Sequence, residues 1–195
     1  MTSHNTHSAA KQSNASLGLW LYIMTDIMVF ASLFATYVIL RHGTNGGPDA
    51  SEIFNLELIL VSTFLLLFSS LTSGMANIAA RSGNARGALV WLGATITLGI
   101  GFLTLELYEF GELILHGHGP AHSAFLSAFF VLVGTHGLHI LIGIIWAIAL
   151  GDYISKKGLT PDGVRRLGLF TIFWHFLDLV WIFIFTVVYL LGAIT

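Results

Sequence analysis

Two pairs of ionisable side chains lie inside long apolar runs of the sequence. His136 and His139 are three residues apart, and His175 and Asp178 have the same spacing. Residues at this spacing share one face of a helix. A polar face within a membrane turns towards protein because exposure to lipid is costly. Each pair can therefore belong to a hydrogen-bonded packing seam, a haem-binding site or a proton relay.

The first pair has some of the features of a haem site. Gly134 and Gly137 have no side chains, and they lie on the helix turn that carries His136 and His139. The space they leave would admit a flat ring. One haem held by two histidines normally takes them from facing helices, so His175 would have to supply the second ligand. Two interpretations remain open on pattern alone, namely histidines that pack helices together and a haem-binding membrane anchor.

Further carboxyl groups lie within the apolar runs, whereas no lysine or arginine does. They include Asp26, Glu106 and Glu109, with Glu112 near a boundary. A buried carboxylate without a cation takes hydrogen-bond donors instead. We therefore predict hydrogen bonds between helices from histidine, tyrosine or tryptophan to these carboxyl groups. A small proton-coupled carrier is a further alternative, although no internal repeat of the kind common in transporters is visible.

Composition identifies the elements that must hold these residues in place. The chain has 195 residues, of which 55% are hydrophobic and 9% charged, with a mean hydropathy of +0.83. Soluble domains have about 25% charged residues, so the composition indicates an integral membrane protein. The net charge of -2 gives no basis for nucleic-acid binding. The lack of cysteine excludes disulfides, iron–sulfur clusters and haem attached through two cysteines.

Long apolar runs predict an all-α integral membrane bundle of five transmembrane helices. Residues 1–16 read as a flexible polar tail, and residues 17–195 as a single transmembrane domain. The segment 151–167 is predicted to be the longest and most charged loop. The predicted spans are about 17–40, 56–80, 88–115, 124–150 and 168–192.

Basic residues predict the orientation of this bundle. With five spans, seven of the eight lie on the side that carries the N-terminus, and Arg41 alone lies on the other. Basic residues accumulate on the cytoplasmic side. The N-terminus is therefore expected in the cytoplasm and the C-terminus in the periplasm. Arg41, Arg81 and Arg86 lie at span edges, where lipid headgroups are expected contacts.

Four segments, in order along the first, third, fourth and fifth predicted spans, resemble subunit III of the haem–copper terminal oxidases from about Leu19 to Gly192. Within that family the sequence is most similar to the cytochrome o ubiquinol oxidase branch. It has five spans, whereas the seven-helix relatives among the cytochrome c oxidases carry two more at the start. The stretches Thr63–Ser70 and Phe185–Gly192 look like the quinol oxidase version. The four segments are Leu-Trp-Leu-Tyr-Ile-Met-Thr-Asp26-Ile-Met-Val-Phe, Tyr108-Glu109-Phe110, Gly134-Thr-His-Gly-Leu-His139 and Phe173-Trp-His-Phe-Leu-Asp-Leu-Val-Trp181.

This resemblance implies a non-catalytic subunit that packs on the haem-bearing subunit I, beside subunits II and IV. It implies that haems, copper and ubiquinol belong to the partner subunits, and that this chain supports assembly, stability and phospholipid binding. The complex would oxidise ubiquinol, reduce oxygen and translocate protons in the inner membrane. No catalytic, cofactor or metal residue is expected here. The residues expected to form a structural polar network are Asp26, Glu106, Glu109, His136, His139, His175 and Asp178. One departure is Ser62, where several family members carry glutamate.

Overall fold

Five long helices follow one another in a computed structural model of the protein, which describes residues 2–41, 43, 56–117, 119, 120 and 122–194. Each of the five contains a segment long and apolar enough to cross a membrane, which confirms the predicted class. A π-helical stretch, Phe185–Leu190, and a short helix α6, Leu191–Ile194, continue the fifth helix. The five are α1 Thr2–Leu40, α2 Leu56–Arg81, α3 Ala85–Leu115, α4 Ala124–Lys157 and α5 Pro161–Ile184.

The helices extend beyond the predicted spans. The helical backbone of α1 begins at Thr2, within the segment predicted to be a flexible tail. The prediction of a long loop at 151–167 is wrong, because only residues 158–160 separate α4 from α5. Hydropathy marks where a helix leaves the apolar layer, but charged residues do not end a helix. Two local ion pairs lie in this region, Lys156 with Asp152 at 2.9 Å and Arg165 with Asp162 at 3.2 Å.

The start of α5 has a polar cap. Thr160 precedes Pro161, and its Oγ1 accepts a hydrogen bond from the Gly163 backbone N–H at 3.1 Å. The Tyr153 hydroxyl of α4 lies 3.2 Å from the same oxygen. Threonine before a proline is typical of a helix start, because the capping oxygen satisfies one free N–H and proline needs none. This cap therefore fixes both the first turn of α5 and its contact with α4.

We expect Thr160→Ala to lower the free energy of unfolding by about 1 kcal/mol, the usual cost of losing such a cap. The melting temperature in mild detergent should fall by roughly 2–4 °C for a chain of this size. Thr97→Ala is the matched control, since among the described residues the exposed Thr97 hydroxyl bonds only to the Gly93 carbonyl of its own helix. An equal shift in both variants would show that the cap contributes no more to stability than a threonine hydroxyl bonded within its own helix.

Packing brings the polar spans together. α2 lies along α3 and α5, while α4 contacts α3, α5 and α1. The turn between α2 and α3 is short because Gly83 takes φ +80°, which favours glycine, and Asn84 caps the Gly87 N–H at 2.9 Å. α4 and α5 carry much of the buried core. These contacts bring together the helices that carry the residues predicted to form the structural polar network.

Candidate functional site

Asp26 and His139 form an ion-pair or hydrogen-bond contact between α1 and α4. His139 Nε2 lies 3.3 Å from Asp26 Oδ1, and both side chains are largely buried. The other ring nitrogen, Nδ1, lies 2.7 Å from the Thr135 carbonyl, which can only accept a hydrogen bond. Nδ1 must therefore carry a proton, and a bond between Nε2 and Asp26 needs one more. The contacts with the Thr135 carbonyl and with Asp26 therefore orient the imidazole between α4 and α1.

Two substitutions at Asp26 should separate hydrogen bonding from charge. Asp26→Asn keeps a donor for His139 Nε2, so stability should stay within about 0.5 kcal/mol of the native chain. Asp26→Leu leaves Nε2 buried without that partner and should cost about 1–3 kcal/mol. Melting temperatures of the two variants in one detergent give this comparison. Similar losses in both would mean that the carboxylate charge, and not the hydrogen bond, joins α1 to α4.

The two buried tryptophans of α5 donate to hydroxyl groups of α2. Trp174 Nε1 donates to Ser69 Oγ and Trp181 Nε1 to Thr63 Oγ1, each at 3.0 Å. Each hydroxyl also donates to a carbonyl of its own helix. The prediction that tryptophan would donate to carboxyl groups is therefore wrong at these positions. Hydroxyls serve better here because each can accept from the indole and donate to its own backbone at once.

Thr63 and Ser69 were not identified as indole partners from the sequence. A signal was present, since the two tryptophans are seven residues apart and the two hydroxyls six. At about 1.5 Å per residue, these spacings separate the tryptophans by about 10.5 Å and the hydroxyls by about 9 Å along their helices, so the two pairs can meet. Six residues also turn Thr63 and Ser69 about 120° apart around α2, so spacing alone does not place them on one side. The order is reversed, because the later tryptophan meets the earlier hydroxyl. This reversal is what antiparallel helices α2 and α5 require.

Glu109 and Glu106 differ in their surroundings. The Tyr189 hydroxyl, in the π-helical stretch, donates to Glu109 Oε2 at 3.2 Å, which confirms a predicted tyrosine–carboxyl bond. Glu106 is only 4% exposed. Neither of its oxygens has a hydrogen-bond partner among the described residues. Its carboxyl group lies against Gly137, where a Cβ atom would come within 2.6 Å of Oε1. The glycine therefore makes the space that Glu106 occupies.

His136 is surrounded by aromatic rings. Its imidazole is fully buried and stacks on Trp181 with ring centres 5.3 Å apart. Phe102 and Phe30 meet it edge-on. Neither ring nitrogen has a hydrogen-bond partner within the described part of the chain. His136 thus joins α4 to α1, α3 and α5 through ring packing.

His175 and Asp178 lie on the side of α5 that faces α2. His175 Nδ1 is 2.7 Å from Ser70 Oγ, and the histidine remains partly exposed. Asp178 is 8% exposed, and its Oδ1 has no partner among the described residues. Both residues line a groove at the surface between α2 and α5.

The predicted site residues therefore do not converge on one centre. His136 and His139 both contact Phe30, whereas the described partner of His175 is Ser70 on α2, which gives no support to a haem held between His175 and either of the others. Within the described residues, no group of three or more histidine or acidic side chains is placed to hold a metal. The arrangement instead links α1 with α4, α2 with α5, and α3 with the π-helical stretch.

The arginines predicted to meet lipid lie at helix ends. Arg81 ends α2, where its Nε donates to Asn77 Oδ1 at 3.4 Å, and Arg86 is exposed at the start of α3. Arg41 directly follows α1. Contacts with lipid headgroups stay a prediction for all three.

The helices and their polar links define a class of protein, an all-helical integral membrane protein whose internal polar groups join its spans. Residues 1–193 match the family described as Cytochrome c oxidase subunit III. The chain belongs to this family, which is the non-catalytic subunit III of the haem–copper oxidases.

Three relatives illustrate the range of the family. The chain is 49% identical to a Cytochrome bo(3) ubiquinol oxidase subunit 3 of Pseudomonas aeruginosa, covering 96% of this chain and 90% of that protein. It is 51% identical to the protein of the same name from Pseudomonas putida, over 91% and 86% of the two chains. It is also 44% identical to a Cytochrome c oxidase subunit 3 of a Bacillus species, over 97% and 95%.

Proposed function

We propose that this chain is the non-catalytic subunit III of a proton-pumping cytochrome o ubiquinol oxidase in an aerobic respiratory chain. The observation that carries the proposal is the identity of 49% and 51% to two proteins named for that oxidase, over more than nine-tenths of this chain. Haems, copper and ubiquinol belong to partner subunits in this assignment, and the chain itself performs no catalysis.

Its role is to pack on the haem-bearing subunit I, beside subunits II and IV, and to support assembly and stability in the bacterial inner membrane. The internal contacts fit this role because they link helices pairwise and leave no shared reaction site among the described residues. Arg41, Arg81 and Arg86 bind phospholipid headgroups, with the N-terminus in the cytoplasm and the C-terminus in the periplasm. Asp26, Glu106, Glu109, His136, His139, His175 and Asp178 form its intramembrane structural network.

The test is a reduced-minus-oxidised visible spectrum of the material that copurifies with the tagged chain in mild detergent. We expect haem in the eluate, and we expect it to leave with the larger subunits when this chain is stripped off. Haem that stays with the isolated chain would instead support the haem-anchor alternative, with His136 or His139 and His175 as ligands. A complex without haem would contradict the assignment.

A second measurement tests the electron donor. Oxygen uptake by the purified complex should be rapid with a short-chain ubiquinol and slow with reduced cytochrome c. The reverse preference would place the chain with relatives such as the Bacillus Cytochrome c oxidase subunit 3. Membership of the family would stand in either case, since it does not depend on the donor.

A further inference from the structure

Two of the four basic residues at the junction of α4 and α5 are neutralised by carboxylates on their own helix. Lys156 Nζ lies 2.9 Å from Asp152 Oδ2, and Arg165 Nη2 lies 3.2 Å from Asp162 Oδ1. The surrounding segment, residues 151–167, contains no further acidic residue. It therefore has two more basic residues than its own carboxylates can neutralise.

The two remaining basic residues, Lys157 and Arg166, meet at one aromatic ring. Lys157 Nζ and Arg166 Cζ each lie 5.3 Å from the centre of the Tyr153 ring, so they are no further apart than twice that distance. Both side chains are exposed, and neither has an acidic partner among the described residues. Like charges held this close repel each other unless an anion lies beside them. The pair is therefore suited to binding an anion.

The Tyr153 ring is fixed against the first turn of α5. Its hydroxyl lies 3.2 Å from Thr160 Oγ1, and a Cβ at Gly163 would lie 3.3 Å from its Cε1. The negative face of an aromatic ring attracts cations. One ring thus gathers a lysine from α4 and an arginine from α5, so less side-chain motion has to be lost when an anion binds.

The pair lies where the apolar part of α5 begins. Leu167 directly follows Arg166, and from Leu167 to Ile184 the sequence has no lysine or arginine. Basic residues at the end of an apolar span lie level with lipid headgroups, and tyrosine is enriched at the same depth. A lipid phosphate is therefore the anion that this position brings to both side chains.

We propose that Lys157 and Arg166, positioned by Tyr153, bind the phosphate of an anionic phospholipid. A zwitterionic headgroup would bring its own ammonium group towards the two cations, whereas a headgroup with a net negative charge neutralises them. The inference rests on the phospholipid binding in the proposed function, to which it adds a second set of residues and a preference for one class of lipid. It does not depend on haem-bearing partners, so it can fail while the oxidase assignment stands.

Lipid titration of the full chain in mild detergent tests this site. Phosphatidylglycerol is added to the delipidated chain, and the lipid-bound fraction is measured by native mass spectrometry. We expect Lys157→Gln and Arg166→Gln each to weaken binding about fivefold, the effect of removing one basic residue near a charged lipid surface. Lys156→Gln and Arg165→Gln are matched controls that should leave binding nearly unchanged, because they remove the same charge from residues with acidic partners. Equal weakening by all four substitutions would overturn the proposal in favour of general attraction between charges.

Two further ligands identify the source of the phosphate. Phosphatidylcholine of the same chain length should bind about fivefold more weakly than phosphatidylglycerol, because its headgroup has no net charge. Inorganic phosphate at the same concentration should not displace the lipid, since it lacks the acyl chains that hold a headgroup at this depth. Equal binding of the two lipids would exclude a preference for anionic headgroups, and displacement by inorganic phosphate would assign a free-phosphate site instead.

Substitutions at Tyr153 test whether its ring positions the two cations. Tyr153→Phe keeps the ring and should bind phosphatidylglycerol as the native chain does. Tyr153→Leu removes the ring but leaves both cations, and should weaken binding by about two- to fivefold. The melting temperature of each variant monitors the folding of α5. Full affinity in the leucine variant would exclude Tyr153 from the site, and equal losses in both would show that the hydroxyl contact with Thr160, and not the ring, positions the cations.

Discussion

Gly143→Leu should lower the free energy of unfolding by about 3 kcal/mol, at the upper end of the cost of overfilling a packed core. A Cβ at Gly143 would lie 2.7 Å from Cζ3 of Trp174 and 3.2 Å from Cε1 of Phe173. Trp174 cannot move away freely, because a Cβ at Gly99 would also meet its ring at 3.0 Å. Its indole N–H is held by Ser69 as well. The side chain of Trp174 therefore fills a slot between α3 and α4.

The measurement is the melting temperature of the chain in mild detergent, which should fall by roughly 6–12 °C. Gly93→Leu is the control, since it adds the same side chain where no neighbour in the described part of the chain lies within 4 Å of the Cβ. Trp174→Ala should cost less in the Gly143→Leu background than in the native chain, because the smaller residue frees the slot for the leucine. A Gly143→Leu variant with the same melting temperature as the native chain would show that α4 and α5 are not packed as described.

Much of this arrangement could be predicted from the sequence because the membrane restricts the choices. Apolar length gives the number of spans, and exclusion of polar groups from lipid predicts that Asp26 and His139 face protein. The family resemblance was readable from the same motifs and is confirmed by the comparisons. These features depend on residue type and order alone.

Other features depend on how each helix is rotated about its axis, which residue spacing does not fix. The partners of the indole groups, Thr63 and Ser69, follow from the register between α2 and α5. The extension of α4 to Lys157 was missed because charged residues continue a helix beyond the apolar layer. The slot for Trp174 was missed because two glycines forty-four residues apart, Gly99 and Gly143, form it together.

The second large effect is expected at Gly137. A Cβ there would lie 2.6 Å from Glu106 Oε1 and 2.9 Å from Oε2. A carboxyl group at the end of a side chain is normally easy to displace. Glu106 is only 4% exposed, however, so its carboxyl group has little room to move. We expect Gly137→Ala to cost about 1–3 kcal/mol, although alanine is the better helix former.

A double-mutant cycle with Glu106→Ala tests whether this cost comes from the contact. Glu106→Ala alone should cost little, because the cavity it leaves is offset by removal of a buried carboxyl group whose oxygens have no partner among the described residues. Gly137→Ala in the Glu106→Ala background should then be neutral or stabilising, with a coupling energy of about 1–3 kcal/mol. Melting temperatures of the four chains provide the cycle. Additive losses would mean that the cost of Gly137→Ala does not come from its contact with Glu106. A loss above about 3 kcal/mol for Glu106→Ala alone would mean that the Glu106 carboxyl group makes bonds in the membrane that favour the folded chain.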